Sequence, residues 1–185
     1  MTRRPIGYAM VLAWLMFSLT ATDVAQRRDP LNPKEVDQMR DAADWPNKRL
    51  ELMVEFARQR LAAIEQLEAN TKNSKDRPMQ IHDLLQDFSA LLDEIGDNVD
   101  MYSKHNADMR QGLAVLLEAS SEWALQLKRL KAQAPPEELQ QYSFALASAL
   151  DDVNDTADDT REELQEQNTL AKQNKLVKVY SERPK

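Results

Sequence analysis

The chain has 185 residues, of which 42% are hydrophobic and 30% are charged, and only 3 are glycine. So little glycine, with few aromatic residues, argues against an all-β fold, while the length suffices for one domain with a hydrophobic core. A formal net charge of −7 disfavours a general nucleic-acid-binding protein, and the lack of cysteine excludes disulfides, thiolate metal sites and cysteine nucleophiles.

The first 25 residues have the layout of a secretory signal peptide. Arg3 and Arg4 precede an almost uninterrupted apolar run at residues 9–19. This run is shorter than the roughly 20 residues that span a bilayer as a helix. The cleavage positions fit imperfectly, so an uncleaved membrane anchor formed by residues 6–21 stays open as the alternative. In either case we expect the rest of the chain to be extracytoplasmic, periplasmic or secreted.

A short first helix is predicted after a linker at residues 26–32. Asn32 is suited to cap a helix, and Pro33 is suited to its first position, where the missing N–H is not needed. The helix ends before residues 44–46, because the residue that precedes a proline is pushed out of the α region.

The second and third helices are indicated by apolar residues at spacings of three and four. The second begins at Pro46 and ends at the polar stretch 70–76. The third carries its stripe from Ile81 to Tyr102. Gly96 interrupts it at a cost of about 1 kcal/mol relative to alanine, and we expect it to allow close approach of a neighbouring helix.

The fourth and fifth helices follow the same pattern. The fourth has apolar residues from Met109 to Leu130, and two prolines break the chain at residues 133–136. The fifth continues to Leu164, after which the pattern fades. Residues 172–185 are predicted to form a basic, disordered tail.

Amphipathic helices of this kind cannot bury their apolar stripes alone. The sequence therefore predicts an all-α protein, an antiparallel up-down four-helix bundle with coiled-coil-like spacing, preceded by the short helix and occupying residues 33–171. The residues predicted to be buried share the apolar stripes: Leu85, Phe88, Leu92, Ile95, Leu113, Leu116, Leu127, Leu146 and Val153.

The most acidic stretch, residues 151–163, reads DDVNDTADDTREE. Aligned with an EF-hand calcium loop, it places oxygen-bearing side chains at the ligand positions: Asp152, Asn154, Thr156, Asp158, Thr160 and Glu163. The sharp turn of such a loop needs glycine where this chain has Ala157. We therefore expect a solvated helix face and predict no metal site.

Other chemistry-bearing residues do not form a recognisable constellation. His82 and His105 are the two histidines, and neither follows a glutamate by three residues as a di-iron bundle requires. We predict both at the surface, no inward carboxylate in a helix interior, and no cofactor. Ser120 and Ser121 lie mid-helix without a neighbouring base, so a packing role is expected.

A partner surface is the remaining candidate. Trp45 precedes the second helix and could either cover the end of the bundle or anchor a partner, as exposed tryptophans do in interfaces. Trp123 lies on the apolar stripe and is expected in the core. Lys128, Arg129 and Lys131 end the fourth helix, where cations suit the helix dipole or could bind an anionic polymer or lipid.

These observations predict an exported, non-enzymatic helical-bundle protein that binds another macromolecule or itself in the cell envelope. The expected partner is a protein or a second copy, not a nucleic acid, and the membrane is contacted only through an uncleaved N-terminal segment. The alternative is a bundle that binds a small ligand or metal in a pocket between helices. A carboxylate or histidine facing a cavity would favour this alternative.

Overall fold

The computed structural model describes residues 29–70 and 75–177. These residues form five α-helices: α1 (Pro33–Asp41), α2 (Pro46–Ala69), α3 (Arg77–Ser103), α4 (Arg110–Gln133) and α5 (Pro136–Lys172). The all-α prediction and the bundle preceded by a short helix are confirmed. The predicted signal peptide lies outside the described residues.

The start of α1 is fixed by local hydrogen bonds. Asn32 Oδ1 accepts from the backbone N–H groups of Lys34 and Glu35, and Glu35 Oε2 accepts from the Asn32 N–H at 2.9 Å. This reciprocal arrangement is a capping box, which satisfies N–H groups that have no partner within the helix. Pro33 adds a backbone angle that already suits a helix.

Consecutive helices form two antiparallel hairpins, α2–α3 and α4–α5. In the first, the Tyr102 hydroxyl near the end of α3 donates to the carbonyl of Ala43, just before α2. In the second, the backbone N–H of Met109, just before α4, donates to the side chain of Gln167 near the end of α5. Each hairpin thus joins a helix beginning to a helix end.

The two hairpins pack side by side with like helices parallel. Between α2 and α4, Gln111 lies by Glu51 and Arg58 by Glu122, so residue numbers rise together. Between α3 and α5, Arg77 pairs with Glu138 at the start of both helices. Within the described ranges the backbones of α3 and α4 do not approach each other closely, nor do those of α2 and α5, and their side chains meet only in the core. These pairs occupy opposite corners, and residues 104–109 cross the end of the bundle.

The core lies where the four long helices meet. All nine residues predicted from the apolar stripes are buried there. Trp123 is fully buried, as expected, and its ring meets that of Phe88 edge-to-face, with 5.5 Å between centroids and an interplanar angle of 89°. This geometry places the positive ring edge against a negative ring face.

The close helix contact occurs at a different glycine from the predicted one. Gly96 has no atom within 4 Å of where a Cβ would stand, so the expectation of a close neighbour there is wrong. At Gly112 a Cβ would lie 2.9 Å from Leu50 Cδ1 and 3.2 Å from Asn47 Cα. The close approach of α4 to α2 therefore depends on Gly112.

Two carboxylates are buried, against the prediction that no helix interior holds one. Glu35 is 3% exposed and Asp87 is 8% exposed. Burial raises the pKa of Glu35, but hydrogen bonds from Arg60 and from the Asn32 N–H, with the charge of Arg60, lower it overall. Arg60 also donates to the Pro30 carbonyl at 2.6 Å, and the charge of Asp87 acts on it as well. The burial of Glu35 is tolerated because the Arg60 guanidinium donates to both of its carboxylate oxygens.

The end of α5 extends beyond the point where the apolar pattern fades. Gln167 is fully buried. Its side-chain amide has hydrogen-bond partners there: the oxygen accepts from the Met109 N–H at 2.8 Å, and the nitrogen donates to the Ala107 carbonyl at 2.9 Å. After α5 the chain turns at Asn174, whose φ is 56°, and Val177 pairs with Ala107. The part of the predicted tail at 172–177 is therefore held in a defined turn, and residues 178–185 lie outside the described residues.

Candidate binding groove

Residues 151–163 form a continuous part of α5. Ala157, at the position where a calcium loop needs glycine, is 8% exposed and faces the core. A loop that wraps an ion cannot form while these residues keep helical geometry. The stretch is therefore one side of a helix, and what lies opposite it determines its chemistry.

The residues aligned with the calcium loop do not converge. Asp152 and Glu163 are half-buried, whereas Asn154 and Asp158 are exposed, and Asp158 pairs with Arg161 one turn later. Among the described residues no group of three or more histidine, aspartate or glutamate side chains is arranged to hold a metal ion.

An open groove of about 840 Å³ runs between α3 and α5 and is here named the acidic groove. Its carboxylates come from both helices: Asp93, Asp97, Asp100, Asp152, Asp155, Asp159, Glu162, Glu163 and Glu166. Four apolar residues also line it: Leu92, Ile95, Val99 and Leu116. No lysine, arginine or histidine is part of this lining.

The acidic groove follows from the helical repeat on two parallel helices. Asp93, Asp97 and Asp100 are spaced by four and three residues, which places them in one row along α3. The α5 lining extends from Asp152 to Glu166, about 21 Å of helix at about 1.5 Å per residue. Gly96 leaves open space between the two rows.

Burial and electrostatic repulsion both act on Asp152. Burial raises its pKa, the nearby Ser89 hydroxyl offsets part of that rise, and the charges of Asp93, Asp155 and Asp151 raise it further. A positive charge placed in the acidic groove would relieve this repulsion and favour the ionised form.

The predicted partner residues do not belong to the acidic groove. Trp45, the residue before α2, is half-buried. Lys128, Arg129 and Lys131 are exposed near the end of α4, with Lys131 in its last turn. Arg129 also borders a smaller crevice between α2 and α4, of about 230 Å³, together with Glu65 and Glu68.

The histidines and serines occupy separate places. His82 is half-buried near the start of α3, with Nδ1 at 3.4 Å from Asp83, and His105 is exposed after its end. The hydroxyls of Ser120 and Ser121 donate to carbonyls one turn earlier in α4. The structure thus brings no serine together with a histidine at these four positions.

The α3 row, Asp93, Asp97 and Asp100, is not among the candidate sites derived from the sequence. Its spacing was visible in the sequence, but the sequence did not show that α3 would lie beside and parallel to α5. Two acidic rows become one site only through that packing.

No protein-family model, curated protein or solved structure matches the chain. Within residues 29–70 and 75–177, no helix is both long enough and apolar enough to cross a membrane.

Proposed function

We propose that the protein acts by binding and not by catalysis, and that the acidic groove holds a positively charged segment of a partner protein. The observation that carries this proposal is the composition of the groove: nine carboxylates and no basic side chain in the lining. Charge complementarity of this kind guides encounter and specificity between proteins.

An elongated cationic peptide segment fits this arrangement better than a single ion does. The carboxylates are distributed along about 21 Å of helix and, among the described residues, do not converge on a point. A segment with several lysines or arginines can meet them in succession. Its apolar side chains would lie beside the half-buried Val99, in the space left open at Gly96.

The proposal places this binding outside the cytoplasm, in the cell envelope or beyond. Its support is the sequence alone: Arg3 and Arg4, followed by the apolar run at residues 9–19. Residues 6–21 would anchor the protein to a membrane if the segment stays uncleaved.

Binding of a small cation or metal in the same groove is the second candidate. The observation that favours it is geometric: the carboxylates of Asp93, Asp152 and Asp155 line the same groove, and their mutual repulsion contributes to the raised pKa of Asp152 after burial. A divalent ion bound there would lower that pKa.

The first test titrates the full chain into a fluorescent lysine–leucine peptide of about 14 residues, which as an amphipathic helix is roughly as long as the groove. Anisotropy is followed at about 0.15 M salt, where screening suppresses distant charge effects. The groove variant carries Asp97→Asn, Asp155→Asn and Asp159→Asn, all at exposed lining positions.

A matched control carries Asp41→Asn, Glu118→Gln and Glu137→Gln, which removes three exposed carboxylates outside the groove. Three exposed ion pairs of roughly 0.5 kcal/mol each amount to about tenfold in affinity, so the groove variant should weaken binding about tenfold. The control variant should keep most of the affinity for the peptide. Equal weakening by both variants would show attraction to net charge alone and contradict the proposal.

A further inference from the structure

The first helix, α1, is held against the bundle mainly by polar contacts. Of its nine residues Glu35 and Met39 are buried, so one large apolar side chain of α1 reaches the core. A helix of this length is not stable alone in water. Its conformation therefore depends on the groups that attach it to α2.

Glu35 takes part both in the start of α1 and in its attachment. Its Oε2 accepts from the Asn32 N–H at 2.9 Å and completes the capping box. Both carboxylate oxygens accept from Arg60 of α2, at 2.8 and 2.6 Å, and Arg60 also donates to the Pro30 carbonyl. One carboxylate, 3% exposed, thus connects the helix cap, the segment before it and α2.

The charged groups around Glu35 favour its ionised form. Arg60 faces it from α2, and the charge of Asp87 on α3 acts on Arg60 in turn. Burial by itself raises the pKa of Glu35, but the hydrogen bonds from Arg60 and from the Asn32 N–H, with the charge of Arg60, hold that pKa below its ordinary value. A carboxyl with a lowered folded pKa contributes stability above its unfolded pKa, and that stability is lost as pH falls through the folded value. Acid therefore weakens the attachment of α1.

We propose that residues 30–41, here named the α1 latch, are released from α2 when Glu35 is protonated, while the four long helices stay packed. The Tyr102 hydroxyl donates to the Ala43 carbonyl at 2.6 Å, which keeps the chain attached just after the latch. Release exposes Met39, whereas the charge of Asp87 still acts on Arg60. None of these contacts involves the acidic groove, so the latch goes beyond the proposed function.

Acid acts in the opposite direction on two carboxyls of the bundle. The pKa values of Asp152 and Glu68 are raised, first by burial and further by neighbouring carboxylates. A carboxyl with a raised folded pKa contributes stability below its unfolded pKa. Protonation at these two sites therefore favours the packed bundle under the conditions that release the latch.

The test uses the absence of native cysteine. A full chain with Met39→Cys reports on the latch, and one with Ala149→Cys, at a fully buried position of α5, reports on the bundle. A pyridyl disulfide, which also reacts with thiols in acid, gives each labelling rate at about pH 7 and about pH 3, on either side of the carboxyl titration. The ratio of the rate in denaturant to this rate, at the same pH, is the protection of the thiol.

The thiol of Met39→Cys should lose at least about tenfold in protection between the two pH values, since hydrogen bonds to a charged group contribute on the order of tenfold or more. The thiol of Ala149→Cys should stay protected. Loss of protection at both positions would mean that the whole chain unfolds in acid and would overturn the inference. Unchanged protection in Met39→Cys would overturn it as well.

Two substitutions in α1 assign the effect to Glu35. Glu35→Gln keeps an acceptor for the capping box but carries no charge, so Met39→Cys should be weakly protected at both pH values. Asp37→Asn removes an exposed carboxylate of the same helix that pairs with Arg40, and it should leave the pH dependence unchanged. A pH dependence that persists in Glu35→Gln would contradict the latch. So would loss of protection at Ala149→Cys in that variant, because Glu35 would then hold the whole bundle.

Discussion

At the scale of single residues, the two glycines of the described helices have opposite surroundings. Gly112 is buried where α4 meets α2, and the space a Cβ would need is taken by Leu50 and by backbone of Asn47. Gly96 faces the open acidic groove. Both residues are helical, so the intrinsic preference of a helix for alanine over glycine is the same at each. The surroundings therefore decide whether replacing the glycine with alanine stabilises or destabilises the protein.

Gly96→Ala should stabilise the protein by about 0.5–1 kcal/mol, because alanine restricts the unfolded chain and meets nothing in the folded one. Gly112→Ala should destabilise it by about 1–3 kcal/mol, because helix backbone cannot move aside as a side chain can. Urea unfolding of the two variants measures both. Two effects of the same sign would contradict the contact geometry.

Asp152 gives a prediction that depends on pH. Its pKa is raised above the ordinary 3.8, mainly by burial. A carboxyl with a raised folded pKa contributes stability fully below its unfolded pKa, and that stability is lost as pH rises through the folded value. Asp152→Asn should therefore raise the melting temperature at pH 7 and lose its advantage at about pH 3. Asp158→Asn, which removes an exposed carboxylate paired with Arg161, is the control and should bring no such gain.

Residue-scale features were predictable where local chemistry decides them. Asn32 and Pro33 predict a helix start independently of their surroundings. Trp123 was predicted to be buried because it lies on an apolar stripe. The burial of Glu35 was not predictable, because it depends on Arg60, which is 25 residues away in the sequence.

At the scale of elements, polar side chains hold the crossover between α3 and α4. Asn47 at the start of α2 donates to the Asp108 carbonyl and accepts from the Gly112 N–H, both at 2.8 Å. Gln167 of α5 binds the same segment at Met109 and Ala107. The crossover is thus fixed from two opposite corners of the bundle.

Gln167→Leu should destabilise the protein by about 1–3 kcal/mol, since it leaves the Met109 N–H and the Ala107 carbonyl buried without these partners. Hydrogen exchange at Met109 should accelerate more than exchange in the middle of α4. Gln165→Leu, at an exposed position two residues earlier, is the control. If both substitutions cost the same, the crossover does not depend on the buried amide.

Helix number, order and approximate ends could be predicted, because proline breaks and apolar spacing are local signals. The order of helices around the bundle could not. An apolar stripe shows that a face is buried, but not against which helix. Leu116 of α4 and Leu92 of α3 both had to be buried, and only the structure shows both in the lining of a groove shared with α5.

At the scale of the whole molecule, the net charge of −7 is unevenly distributed, since nine carboxylates lie along one groove. Raising sodium chloride from about 0.01 M to 0.15 M shortens the screening distance from about 30 Å to about 8 Å. If this screening reduces the repulsion between the carboxylates by about 1 kcal/mol, the melting temperature should rise by about 2–4 °C.

Calcium at matched ionic strength should add little to this shift. A saturable, calcium-specific increase that disappears in Asp152→Ala, Glu163→Ala would mean that the groove binds the ion in the folded state. That outcome would favour the second candidate function over the cationic segment.

The most direct test of the central claim is a map of where a cationic segment binds. Backbone amide chemical shifts of the full chain are followed during titration with the lysine–leucine peptide at about 0.15 M salt. The acidic groove predicts saturating changes concentrated in residues 92–100 and 152–166, with Gly96 among the most affected. Changes spread over all exposed carboxylates, or centred near Asp41, Glu118 and Glu137, would contradict it.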